Sequence, residues 1–204
     1  MTKIKLCGMM QPCDIYHANE LMPDFIGFVF AAGSKRCVTW EQARLMRSRL
    51  NDGITPVGVF VNETIENIEY LVDEDIIQIV QLHGSEDNDY VKRLRSKVTC
   101  PIIQAFRIET KQDIAIAAES EADYIMLDSG GGTGECFNHS LIGGIRRDFF
   151  LAGGLCSENV GSAISLCKPY AVDASSSLET KGIKDKNKMT AFVKAVRCGK
   201  GDVK

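Results

Sequence analysis

Strong charge of either sign is missing from this 204-residue sequence: 24 basic against 27 acidic residues leave a formal charge of −3. That balance gives no electrostatic argument for nucleic acid or an anionic membrane as a partner, so any anion must be bound locally. No apolar run approaches the ~20 residues needed to span a bilayer. Met1-Thr2-Lys3 opens directly into a strand-like segment, and a cytoplasmic protein is expected. C-x-x-C pairs are absent. The eight cysteines stand at positions 7, 13, 37, 100, 136, 156, 167 and 198, and without a secretion signal they read as free thiols. His17, His83 and His139 are far apart in sequence, whereas structural zinc draws on close pairs of Cys or His, so no metal is expected. The glycine fingerprint of dinucleotide binding does not follow the first strand-like run either.

What is present is an alternation of short apolar runs with amphipathic segments. Strand-like runs fall at residues 4–7, 25–30, 56–61, 76–82, 101–106, 122–127, 148–152 and 170–172. Helical stretches separate them: one passes through Tyr16 and Leu21, and another is opened by Thr39 with Gln42 placed to complete a capping box. A third carries Ile65, Ile68, Leu71 and Val72 at spacings of three and four, the mark of one buried face. Two more lie around 158–166 and 188–197. Strands apolar on nearly every residue are covered on both faces, and alternation with helices implies parallel order. Eight such units predict an α/β fold, a compact (β/α)8 TIM barrel, as a single domain over residues 1–204. An open doubly wound sheet is the structural alternative. The chain is shorter than the ~250 residues typical of that barrel, so loops must be minimal, and the sixth helix, interrupted by Gly143-Gly144, is expected to be the shortest.

In parallel barrels reactive groups gather where strands finish. Here those positions are polar: Cys7, Arg36 just beyond the second run, Asn62, His83, Arg107, Asp128, Gly153-Gly154, and Asp173 with Ser175, Ser176 and Ser177. Asn62 lies just before a helix and reads as its cap. Asp128 runs straight into Gly130, Gly131, Gly132, Thr133 and Gly134, whose backbone amides are unshielded, as phosphate cradles require; an ordinary flexible loop is the plain alternative. The loops after the seventh and eighth strands commonly bind phosphate in such barrels. Gly153, Gly154, Ser175 and Ser176 suit that task, together with Gly131, Gly132 and Gly134. Cys7 and Asp128 are placed to face each other across the mouth and to carry paired proton transfers. A thiol titrates near ~8.5 and a carboxyl near ~3.9 when unperturbed, so both need help from their surroundings. A lone cysteine in a strand is more often a small core residue; the position of Cys7 before Gly8 at a strand end favours chemistry.

The segments KLCG, GFVFAAGSKRCV, VGVFVNE, VQLHG, LDSGGGTG, LAGGL-x-x-ENV and VDASSSLETKGIKD resemble, in order and over nearly the whole chain, phosphoribosylanthranilate isomerase of tryptophan biosynthesis. That resemblance implies a small eight-stranded barrel catalysing an Amadori rearrangement of N-(5-phosphoribosyl)anthranilate without a cofactor. By likeness, Asp128 is the general acid on the ring oxygen and Cys7 the base at sugar C2. Arg36 lies near the anthranilate, with His83 and Asp173 as further substrate contacts. The partner implied is a small phosphosugar-anthranilate substrate, handled by a monomer or homodimer. After GGGTG this sequence departs from the family, with Glu135, Cys136 and His139 where the family often has lysine, threonine and tryptophan. Two other readings stay open: another phosphosugar-handling barrel, which would be expected to show strand-end lysines or paired aspartates, and a non-catalytic phosphate-binding barrel.

Overall fold

The computed structural model describes residues 1–128 and 145–198. Eight parallel strands close on themselves in sequence order: β1 (Lys3–Cys7), β2 (Phe25–Val29), β3 (Thr55–Phe60), β4 (Ile79–Leu82), β5 (Ile102–Arg107), β6 (Tyr124–Asp128), β7 (Phe149–Ala152) and β8 (Ala171–Ala174). Closure comes from β8 pairing with β1, in a register that sets Lys5 beside Asp173. The described helices are α1 (Pro12–Leu21), α2 (Trp40–Arg47), α3 (Ile65–Asp73), α4 (Asn88–Arg95), α5 (Lys111–Ala118), α6 (Val160–Cys167) and α7 (Lys186–Cys198). The closed order excludes the open doubly wound sheet. The expected sixth helix with Gly143-Gly144 lies outside the described residues.

Local sequence explains most boundaries. The Thr39 hydroxyl accepts the Gln42 amide at 3.2 Å, and the Gln42 side chain accepts the Thr39 amide at 2.8 Å, so the capping box starts α2 as its sequence predicts. Asn62 is a correction. Thr64 caps α3 instead, while Asn62 sits in the left-handed region at φ 52° and its side-chain oxygen accepts from the Ser85 amide at 2.9 Å. Residues 76–78 are apolar enough to read as strand but belong to a turn, because the Ile76 and Ile77 amides close back on Leu71 O. At the other end, β8 runs on to Ala174 and so carries Asp173 within the barrel wall. A one-turn 3₁₀ segment (Ser176–Leu178) and a two-stranded hairpin, β9 (Glu179–Thr180) with β10 (Ile183–Lys184), follow it. Two-residue strands carry no periodicity to read, and the sequence shows only a serine-rich turn there.

The core has layers. Between strands and helices lies the large cluster built from residues such as Ile26, Phe28, Phe60, Leu82, Leu127, Met189 and Phe192. Inside the barrel, Phe25, Val57, Ile79, Ile103, Met126 and Phe150 form the lower filling. Cys7, Val29 and Val59 lie together in a small separate cluster. Because side chains alternate across a strand, Lys5 and Cys7 share one face of β1, and that face looks inward.

Candidate active site

A cavity of about 290 Å³ opens at the carboxyl ends of the strands, the face where parallel barrels place their chemistry. Cys7, Arg36, His83, Asp128, Gly153, Gly154, Asp173, Ser175 and Ser176 all line it. The remaining residues expected to hold phosphate, Gly131, Gly132 and Gly134, lie outside the described residues, as do Glu135, Cys136 and His139. Arg107 does not join the site: it is exposed and pairs with Glu109 at 2.7 Å. Among the described residues no group of His, Cys, Asp or Glu is arranged to hold a metal ion.

Cys7 closes β1 and is only 7% exposed. Its strand partner is Gly27, and a Cβ there would lie 2.6 Å from the Cys7 sulfur. The sulfur therefore occupies space that only a glycine leaves. Gly8 follows at φ 79°, and the Arg36 side chain passes across it, with Cδ 2.5 Å from where a Cβ would stand. On the opposite side, His83 Nε2 lies 3.4 Å from Asp128 Oδ2. Gln81 Nε2 approaches His83 Nδ1 at 2.9 Å and fixes the plane of the ring.

The two loops expected to hold an anion are built differently. After β7, Gly153 and Gly154 adopt φ of 93° and 62°, conformations that glycine takes at little cost. Asn159 then ties the loop: its amide group donates to Gly154 O at 2.9 Å, and its oxygen accepts the Cys156 N–H at 2.8 Å. After β8, the Ser175 hydroxyl donates to Cys7 O at 3.1 Å, and the Ser177 hydroxyl donates to Leu155 O. The serine loop is thus pinned to both neighbouring strand ends.

Behind Cys7 lies a group of charges of which sequence reading named Arg36 and Asp173 but missed Lys5, Glu179 and Lys184. Lys5, fully buried, donates to Asp173 Oδ1 at 2.8 Å. Lys184, also with no exposed side-chain surface, donates to Glu179 Oε1 at 2.7 Å and to Ser175 O at 3.0 Å. Arg36 grips the same carboxylate with both ends of its fork, Nε at 2.6 Å and Nη2 at 2.9 Å. Burial opposes the charge on Lys5, yet Asp173 and Cys7 hold its ammonium above the ordinary lysine value. Burial likewise opposes ionisation of Glu179, but the hydrogen bonds from Arg36 and Lys184 keep it below the ordinary carboxylate value. For Lys184 burial dominates and pushes the value down, against the pull of Glu179. A lysine between two apolar residues of β1, Ile4 and Leu6, and two residues before Cys7, is the sequence signal that points here.

Fold and cavity together define a parallel-barrel protein with a thiol and a carboxyl at the mouth, beside glycine- and serine-built loops. A family model described as N-(5'-phosphoribosyl)anthranilate (PRA) isomerase matches residues 4–195. The isomerase of Endomicrobium trichonymphae is 42% identical over 202 residues, covering 97% of this chain and 99% of that protein. Two crystal structures cover 97% of this chain and 100% of their own. One, monomers generated from the dimeric enzyme of Thermotoga maritima, has a TM-score of 0.87 at 33% identity. The other, a phosphoribosyl anthranilate isomerase in complex with reduced 1-(o-carboxyphenylamino)-1-deoxyribulose 5-phosphate, has a TM-score of 0.86 at 34% identity. The chain belongs to the PRA isomerase family.

Proposed function

We propose that this chain isomerises N-(5-phosphoribosyl)anthranilate to 1-(2-carboxyphenylamino)-1-deoxyribulose 5-phosphate in tryptophan biosynthesis. Asp128 gives its proton to the furanose ring oxygen as the C1–O bond breaks, and the nitrogen lone pair forms the iminium. Cys7 as thiolate then takes the proton from C2, and the electron pair moves into the C1–C2 bond while the iminium collapses to an enolamine. Tautomerisation delivers the ketone. No cofactor takes part, because the iminium is itself the electron sink.

The observation that carries this reading is the shared cavity: Cys7, Asp128, Arg36 and both anion-suited loops line one space. Arg36, held in plane by Glu179, is oriented to meet the anthranilate carboxylate. Asp173 keeps one oxygen on Lys5 and turns the other to the sugar, beside His83. The phosphate rests on the amides of Gly153 and Gly154 and on Ser175 and Ser176, with Gly131, Gly132 and Gly134 completing the cradle. The partner is this small phosphorylated substrate, not nucleic acid or membrane. Among the described residues no helix is long and apolar enough to cross a membrane, and a biosynthetic enzyme of this kind works in the cytoplasm, as a monomer or a homodimer.

The test follows loss of substrate fluorescence on turnover. Cys7→Ser and Asp128→Asn should each lower kcat by at least ~10²-fold, the scale of losing a general acid or base, with folding retained by circular dichroism. Near-wild-type turnover in either variant removes that residue from its role, and phosphate-ligand binding without turnover in the wild type would leave only a binding barrel.

A further inference from the structure

Among the described residues the charges beside Cys7, all buried except the partly exposed Arg36, do not cancel. Lys5 and Asp173 neutralise each other. Glu179, by contrast, is among the described residues the single anion shared by Lys184 and Arg36. These five groups come from β1, β8, the hairpin and the loop after β2, and they sum to one unmatched positive charge. Asp128 and His83 form their own pair across the cavity, and in the reading above Asp128 starts with its proton. We propose that Lys184, carried in by the β9–β10 hairpin, is a positioning residue whose buried charge makes the Cys7 thiolate electrostatically tolerable, so that ionised Cys7 brings the whole cluster to neutrality.

Geometry and burial carry the argument. An ammonium with no exposed side-chain surface loses its hydration and is retained only when the protein replaces it. Glu179 is an incomplete replacement, since Arg36 already claims both of its oxygens. The Lys184 ammonium also bonds Ser175 O, and the Ser175 hydroxyl bonds Cys7 O, which places the hairpin against the end of β1. The electrostatics agree in sign: burial is the largest influence on Cys7 and raises its thiol, Lys5 and Lys184 pull it back down, and Asp173 adds to the rise. Arg36 senses the same sulfur. Lys5 lowers the thiol more than Lys184 does, by its charge and by a hydrogen bond, but Asp173 beside it raises the thiol in turn, so the hairpin lysine supplies the charge that nothing offsets.

This inference rests on Cys7 being the base, and its test separates the two ideas. Alkylation of Cys7 by iodoacetamide is followed against pH in the full-length protein, with peptide mass spectrometry distinguishing it from the other cysteines. The plateau rate reports access, and the midpoint reports ionisation. Lys184→Met should move the midpoint upward and cut the neutral-pH rate about tenfold, equivalent to one pH unit. Lys184→Arg should restore it. Glu179→Gln, nearly isosteric, removes the anion instead and should move the midpoint down, so the prediction survives even if the methionine variant does not fold. An unmoved midpoint in Lys184→Met, or a shift of the same sign in Glu179→Gln, overturns the proposal and leaves the base assignment intact. If alkylation shifts as expected while the pH profile of kcat/KM does not, the charge proposal holds and Cys7 loses its role as base.

Discussion

Replacing Gly27 by alanine tests the placement of Cys7, the proposed base, without substituting any group proposed to react. The added Cβ would stand 2.6 Å from the Cys7 sulfur, 3.2 Å from its Cα and 3.3 Å from its Cβ. Ordinary contact begins near 3.4 Å, so the sulfur must move by about 0.8 Å (3.4 − 2.6). The strand cannot absorb all of this, because Cys7 and Gly27 are paired in the register of β1 and β2. Overpacking of this kind costs about 1–3 kcal/mol of stability, and a misplacement near 1 Å at a reacting group costs about 10²-fold in rate. Gly58→Ala is the control. Its Cβ would meet Ile77 at 2.7 Å and Phe60 at 2.8 Å, a comparable crowding, but in the outer core between strands and helices. Gly33→Ala meets nothing within 4 Å and should be silent. Denaturant unfolding and steady-state turnover, measured on all three, should give stability losses in the first two and a fall in kcat of about 10²-fold in Gly27→Ala alone. Wild-type kcat in a folded Gly27→Ala protein, or an equal loss in Gly58→Ala, would refute the claim that the sulfur's position against β2 matters to catalysis.

Arg36→Lys keeps the charge but loses the fork that spans both oxygens of Glu179, so KM should rise about tenfold or more, the worth of one hydrogen bond to a charged group, with kcat changed far less; substrate titrations check the split. Glu179 also predicts a change in acid stability. Its folded value is depressed despite burial, by hydrogen bonds from Arg36 and Lys184; its stabilisation is therefore complete above the ordinary glutamate value of about 4.3 and fades as pH falls through the folded value. Unfolding midpoints measured through that acidic window should depend less on pH in Glu179→Gln than in the wild type, and equal slopes would show that the carboxylate is not coupled to folding.

Where a sequence signal is local, it carried through to the structure. The apolar runs became eight strands, Thr39 with Gln42 started α2, and the spacing of Ile68 and Leu71 buried one face of α3. Strand ends named the cavity lining, because the barrel's geometry makes position along the chain nearly equivalent to position around the mouth. Boundaries failed where apolar character and backbone bonding part company, as at Ile76 and Ile77, whose amides serve the end of a helix. Asn62 looked like a cap from its place before α3, yet its left-handed backbone turns the side chain toward Ser85. Arg107 was polar at a strand's end but has its partner in Glu109, away from the cavity.

The charge cluster could not be read in the same way, and the reason is topological. Lys5 and Asp173 are 168 positions apart, and Arg36 and Glu179 are 143 apart; no periodicity reaches so far, and only the closure of β8 on β1 brings the segments together. A physical constraint narrows the search all the same. A lysine inside a strand buried on both faces must find an anion, since its isolated charge would cost far more than any packing could return. Neighbouring staves are the nearest source. For β1 these are β2 and β8, and of the two only β8 carries an acid, Asp173, within its span. The same reasoning applies to Lys184, whose strand pairs with the one bearing Glu179. Once closure is granted, the buried lysines name their own partners, and through them the polar surroundings of Cys7.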